Sequence, residues 1–327
     1  MRPTRGLFAG LALSALAFTV SCADDSTSPR EPFRNRQLRQ VVAGGNRQST
    51  ELVTGGTAAA MQAIGTEANI ALETQASAVR VGAMEWITPV DGGEAGGQIV
   101  FFKDRGNKEL AFHFVPGDPR RGGRTNITYL VDRSGDTNDP TAVGQTEAAI
   151  DRAMATWDGE QCSTLNMTKN VDTGADPDLI DELLGFPDGP GGIFAADIVH
   201  GGWVPAGIFP PSVIAVTFTF IFVDGGGNPT DIDNNKRGDV AWREIYYNDQ
   251  FVWRINGNID VETVALHESG HGLSQDHFGM LFQTTSNNEF HFAPRAVMNA
   301  GYTGVQQALA GSDNAGHCTN WGSWPQR

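Results

Sequence analysis

Three histidines and a glutamate carry the clearest chemistry in this chain. They fall within Val261–Gly279, which reads VETVALHESGHGLSQDHFG, at His267, Glu268, His271 and His277. On an α-helix, residues i and i+4 lie on one face, one turn apart. His267 and His271 can therefore offer two imidazoles to one metal ion. Three neutral nitrogen ligands with a fourth position left open make a catalytic zinc site rather than a closed structural one. Zinc lowers the pKa of its bound water to about 7, which supplies a hydroxide-like nucleophile near neutrality. Glu268, next to the first ligand, is placed to take the water's proton as it attacks a carbonyl, and to pass it to the leaving amine. H-E-x-x-H alone is a weak signal, met equally by structural histidines on an amphipathic helix. His277 sharpens it. That residue comes six positions after His271, where a continuing helix would carry it to the wrong turn, so the helix must end and the chain bend back. Gly272 and Ser274 stand where that bend is needed.

The pattern H-E-S-G-H-G-L-S-Q-D-H resembles the metzincin metallopeptidases, and its H-E-x-G-H-x-L core is most similar to the matrixin branch. The resemblance covers roughly residues 124–318 and is specific at the zinc helix and at one downstream loop. There, Ala296-Val-Met-Asn-Ala300 resembles the Met-turn, so Met298 is expected to form a soft apolar floor beneath the imidazoles. Tyr302 then becomes a candidate wall of the substrate pocket, with ordinary packing as its alternative. The family usually has glycine where this chain has Ser274. A non-glycine residue in the left-handed region costs about 1–2 kcal/mol, so the turn is either strained or built differently. Matrixins usually hold a structural zinc through several histidines ahead of the edge strand. Only His200 lies in that region, and no structural zinc is expected. An alternative third ligand, as in gluzincins, is Glu289, 18 residues after His271. The polar run Thr284–Asn288 reads as a loop rather than the helix that arrangement needs, which favours His277.

The resemblance implies an α/β (α+β) fold: a twisted, mostly parallel sheet packed on helices, with the zinc helix and the Met-turn below it. The periodicity of the chain agrees. Ile127–Val131 reads as a strand. Asp139-Pro140 opens a helix with proline in its first turn, on which Ile150, Ala153, Met154 and Trp157 form a core stripe. Ser163–Met167, Ala196–Val199, Asp239–Tyr247 and Phe251–Ile255 read as further strands, with an acidic, Gly/Pro-rich loop over 172–192 between the first two. In Ile214–Val223, apolar Val216, Phe218, Phe220 and Phe222 alternate with Thr217 and Thr219. By the resemblance, this is the edge strand that pairs with an extended substrate. Upstream, Thr57–Val81 has a weak helical pattern, and Gln98–Phe102 with Leu110–Val115 reads as a β-hairpin. The turn-rich 117–124 stretch is the expected boundary between an N-terminal pro-region or accessory domain, 50–117, and the catalytic domain, 124–327.

At 327 residues and 40% hydrophobic, the chain can bury a sizeable core. Its net charge of −15 argues against nucleic acid or an anionic membrane surface as partner; the expected partner is an extended protein or peptide. Residues 1–22 read as an export signal, with Arg2 and Arg5 ahead of an apolar run too short to span a bilayer. Thr19-Val20-Ser21-Cys22 resembles a bacterial lipobox, making Cys22 a lipidation candidate and its lipid the expected membrane tether; cleavage after Ala23 is the alternative. Either way the chain is exported, to the cell envelope or beyond, with 23–49 as a polar linker. Cys162 and Cys318 remain, and an exported chain with two cysteines suggests one disulfide. Asp224, Asp231, Asp233 and Asp239 offer oxygen ligands suited to Ca²⁺, with a solvated acidic loop as the alternative. Taken together, the sequence predicts an exported zinc metalloendopeptidase that lacks the cysteine a thiolate-latent matrixin pro-region carries. Its rivals are a zinc hydrolase of a non-peptide substrate and a non-catalytic surface binding protein.

Overall fold

A long strand in the N-terminal third organises the sheet. The computed structural model describes residues 38–41, 56–90, 95–133 without 105 and 107, 143–174, 178–185 and 195–326. The export signal, Cys22, most of the linker and Asp139-Pro140 lie outside these residues. The elements begin with β1 (Leu38–Val41), α1 (Gly56–Thr74), β2 (Val79–Pro89), β3 (Gly97–Val100) and β4 (Phe112–His113). They continue with β5 (Ile127–Val131), α2 (Val143–Asp158), β6 (Met167–Lys169), α3 (Ile180–Leu184), β7 (Ile198–Val204), β8 (Ala215–Phe222) and β9 (Gly238–Asn248). The last third holds α4 (Val261–Gly272), β10 (Met280–Thr284), β11 (Phe290–Ala293), β12 (Gly301–Tyr302) and α5 (Gly311–Trp321). The fold is mixed α/β.

The main sheet runs β12-β2-β8-β9-β7-β5-β6, with β3 also on β2 and β4 on β9. Pairings from β9 through β7 and β5 to β6 are parallel, whereas β8 is antiparallel to both β2 and β9. A separate antiparallel sheet joins β1, β10 and β11. One face of the main sheet packs on α2 and α4, through Ile150, Ala153, Met154, Trp157, Val264 and Leu266. Trp157 also donates its indole N–H to the carbonyl of Leu266 at 2.8 Å, tying α2 to α4. On the opposite face Met61 and Leu72 of α1 pack with Met84, Trp86, Phe218 and Phe220.

Several expectations change here. Ile214–Val223 is not an edge: β2 pairs with β8 from Val79↔Phe222 to Ile87↔Ala215. Residues 56–117 do not stand apart from the rest, because β2 lies inside the main sheet and contributes to both cores. The chain from Gln37 to Arg327 is one compact unit. The 117–124 stretch, the expected boundary, is itself tied into the fold. Its 3₁₀ turn buries Arg121, whose guanidinium pairs with Asp197 at 2.9 Å, while Arg120 bridges Asp118 and Asp239. The expected hairpin survives only as a bridge between Lys103 and Glu109; its arms go to different partners, β3 to β2 and β4 to β9. Helix α1 stops at Thr74, and Val79–Val81 begins β2 instead. Phe251–Ile255 forms no strand beyond a bridge from Arg254 to Asp260.

Candidate metal centre

Helix α4 starts where Asp260 accepts hydrogen bonds from the Thr263 backbone N–H at 2.9 Å and the Thr263 hydroxyl at 2.6 Å, an N-cap that also sets a negative charge at the positive helix end. All twelve of its residues are buried, so this helix has no solvent face. Gly270, between the two ligand positions, is needed there: a Cβ would collide with Met298 Sδ and Trp157. The helix ends at Gly272, and the bend falls at Ser274, which sits at φ 65°. Ser274 is built in rather than merely tolerated. Its Oγ accepts from the buried Arg243 guanidinium at 2.9 Å, and the same nitrogen donates to the Gly272 carbonyl at 2.7 Å. Asn320 of α5 donates to the Ser274 carbonyl at 2.8 Å.

That bend brings His277 back. The Nε2 atoms of His267, His271 and His277 lie 3.0–3.1 Å from one another. His267 Nδ1 donates to the Val297 carbonyl and His271 Nδ1 to the Gln275 carbonyl, both at 2.7 Å. Those bonds fix the tautomers with Nε2 as the lone-pair atom. Nitrogen lone pairs this close repel unless a cation lies among them. Tetrahedral zinc, with Zn–N of about 2.0–2.1 Å, sets ligand nitrogens about 3.3 Å apart, so the donor set fits such an ion. Burial holds His267 and His277 well below the usual histidine range. Burial also opposes charge on His271, but Glu85 and Glu268 outweigh it and raise that group to about 9. The three histidines form a group able to hold a metal ion.

Glu268 is fully buried. Its Oε2 accepts from the Thr217 hydroxyl at 2.6 Å, and its Oε1 has no hydrogen-bond partner. Burial pushes this carboxyl up to about 7, close to the value that suits a general base at neutral pH. Met298 is fully buried on the helix carrying the ligands. Its loop is held by Asp313 of α5, whose carboxylate accepts from the backbone N–H groups of Val297 and Met298 at 2.9 and 3.0 Å.

Tyr302 is not brought to this centre. Its hydroxyl accepts from the Asp260 N–H at 3.0 Å, and its ring lines a separate cavity of about 860 Å³ with Phe251 and Val252. Glu289 is exposed at the β10–β11 turn, where it accepts from Asn287. Cys162 and Cys318 are joined in a disulfide with Cα atoms 5.5 Å apart. Asp231, Asp233 and Asp239 lie together, without Asp224. Asp231 and Asp239 accept backbone N–H bonds from their own loop, and Asp239 also accepts from Arg120.

A cleft of about 730 Å³ opens beside His277, between Gln98 and Val100 of β3 and the Ser274–Phe278 loop with α5. Sequence reasoning missed Glu85, Thr217, Arg243 and Asp313, which surround the triad. None belongs to a local motif, and each arrives through strand pairing or helix docking. No protein-family model matches the chain, and no curated protein matches it.

Proposed function

We propose that this chain is an exported zinc metalloendopeptidase of the metzincin type, similar to matrixins. The observation that carries the reading is the convergence of three Nε2 atoms beside a buried carboxylate with one free oxygen. His267, His271 and His277 would hold Zn²⁺, which when bound supplies Lewis acidity and an acidified water. Thr217 fixes one oxygen of Glu268, leaving Oε1 to take a proton from the nucleophile and deliver it to the leaving nitrogen. Met298 supports the helix from below. The run β6-β5-β7-β9-β8, with α2 and α4 on one face, agrees with the catalytic fold the resemblance implies. Export rests on the N-terminal sequence alone.

Full-length protein tests this by zinc content and casein cleavage. Glu268→Ala should keep about one zinc per chain and lose about 10²–10⁴ in rate. His277→Ala should lose most of the zinc, while Glu289→Ala should change neither. Zinc retained in His277→Ala and lost in Glu289→Ala would move the chain out of the metzincin class. Wild-type turnover in Glu268→Ala would remove that residue as base.

A further inference from the structure

We propose that the basic turn over 117–124 holds a small tetrahedral oxyanion, of the sulfate or phosphate class, between Arg121 and Arg124. The site lies outside the histidine cluster and does not depend on the zinc reading. The turn is wound so that two guanidiniums fall together. Asp118 caps the 3₁₀ turn Pro119–Arg121 by accepting from the Arg120 N–H at 2.8 Å. Gly122 and Gly123 follow at φ 73° and 71°, left-handed conformations that glycine adopts without strain. The chain turns back there, and Arg124 reaches the same carboxylate as Arg121. Asp197 Oδ1 accepts from Arg121 Nε and from Arg124 Nη2, each at 2.9 Å.

That carboxylate does not satisfy both cations. Its Oδ2 is taken by the Thr128 backbone N–H and hydroxyl, at 2.8 and 2.9 Å. Arg121 Nη1 donates to the Val115 carbonyl at 3.1 Å, and the face of its guanidinium lies over the Phe114 ring. What remains is one nitrogen on each arginine. Among the described residues, Arg121 Nη2 and Arg124 Nε are buried and meet no hydrogen-bond acceptor. Buried donors are normally paired, and an unpaired one costs most on a charged group. Both residues line a cavity of about 130 Å³ with Ala196, Asp197 and Ala241. A water takes up about 30 Å³ in the liquid, so the space exceeds one water. Arg120 also borders it, but its guanidinium bridges Asp118 and Asp239. Counted with those two acids, the wider cluster of three arginines and three aspartates is balanced. The pull on an anion is therefore local: Arg121 and Arg124 against Asp197 leave one positive charge beside the cavity. An oxyanion brings lone pairs to both open nitrogens and a charge to offset that excess. Water brings the lone pairs alone. Guanidinium is also the side-chain group whose planar fork best matches such ions.

The test uses the full-length chain, freed of metal with a chelator so that no ion among the histidines takes up oxyanion. Equilibrium dialysis at low ionic strength measures binding of radiolabelled sulfate and, separately, of inorganic phosphate. At least one of the two should bind at one ion per chain. Arg124→Gln, at a side chain 39% exposed, removes one charged donor and should weaken that binding about tenfold or more. Arg254→Gln is the control, the same charge change at an exposed arginine bonded to the Trp253 carbonyl, and should match wild type. A crystal structure of the wild-type chain with the tighter-binding ion reads the location without any variant. The ion should lie within hydrogen-bond reach of Arg121 Nη2 and Arg124 Nε. Three results would each overturn the proposal: no binding of either ion to the folded chain, equal binding by Arg124→Gln and wild type, or water alone in that cavity.

Discussion

Replacing Ser274 by glycine should destabilise the protein, although the residue sits at φ 65°. On backbone grounds alone glycine is favoured there, since a side chain in the left-handed region costs about 1–2 kcal/mol. Part of that gain is returned by the extra freedom of glycine in the unfolded chain, about 0.5–1 kcal/mol. Against the remainder stands the bond from Arg243 to Ser274 Oγ. Arg243 is 3% exposed, and burial pulls its pKa down to about 10, so it stays protonated at neutral pH and needs its acceptors. A hydrogen bond to a charged group contributes about 1.5–3 kcal/mol. The bond wins, and Ser274→Gly should cost about 1–2 kcal/mol. Ser274→Ala keeps the strain and loses the bond, so it should cost more than glycine. Both costs should shrink in an Arg243→Met background, where no guanidinium remains to satisfy. The measurement is urea unfolding of the metal-free chain, so that bound zinc does not mask the change by mass action. A Ser274→Gly protein stabilised by 1 kcal/mol or more would refute the claim that Arg243 holds this turn.

Two further outcomes follow from groups elsewhere in the chain. Replacing Cys162 and Cys318 with serine frees a loop with a sequence separation of 156 and should cost about 2–4 kcal/mol; an unchanged urea midpoint would show that the bridge contributes nothing. His200 is fully buried against the Tyr247 hydroxyl, and burial with the nearby Lys169 charge lowers it from 6.5 to about 3. The unfolded chain then takes up a proton that the folded chain refuses. Its contribution is whole above pH 6.5 and is lost as pH falls toward 3, at about 1.4 kcal/mol per pH unit. His200→Asn should remove one proton's worth of that slope between pH 6 and 4; an unchanged slope would exclude His200 as its source.

The meeting of His267, His271 and His277 was legible because it is local, set by one helical turn and one bend within eleven residues. The core stripe from Ile150 to Trp157 was legible for the same reason. Strand β2 was not. Residues on both of its faces are buried, which erases the alternation that marks a half-exposed strand, and β8 lies more than a hundred residues downstream. The same distance hid Glu85 and Thr217, whose partners are chosen by sheet register. The place of Tyr302 was not legible either, because nearness in sequence to the Met-turn candidate says nothing about where a ring points; its hydroxyl accepts from the Asp260 N–H at the start of α4.

That buried strand decides which sheet edge lies open near the histidine cluster. An unpaired β8, with its run of valine, threonine and phenylalanine, would be a hazard for edge-to-edge association, and β2 removes that hazard by pairing with it. Peeling β2 away would expose Val81, Met84 and Trp86 among others, each almost fully buried. At about 1.5–3 kcal/mol per large apolar side chain, three alone amount to about 4.5–9 kcal/mol, before the lost ladder of hydrogen bonds is counted. A whole domain is typically stable by only about 5–15 kcal/mol. The strand therefore stays in place while the chain is folded, and an extended peptide cannot use the edge of β8. Among the described residues, β3 pairs only with β2, and its Gln98 and Val100 line the cleft beside His277. The sheet edge beside the cleft has moved outward by two strands, to β3.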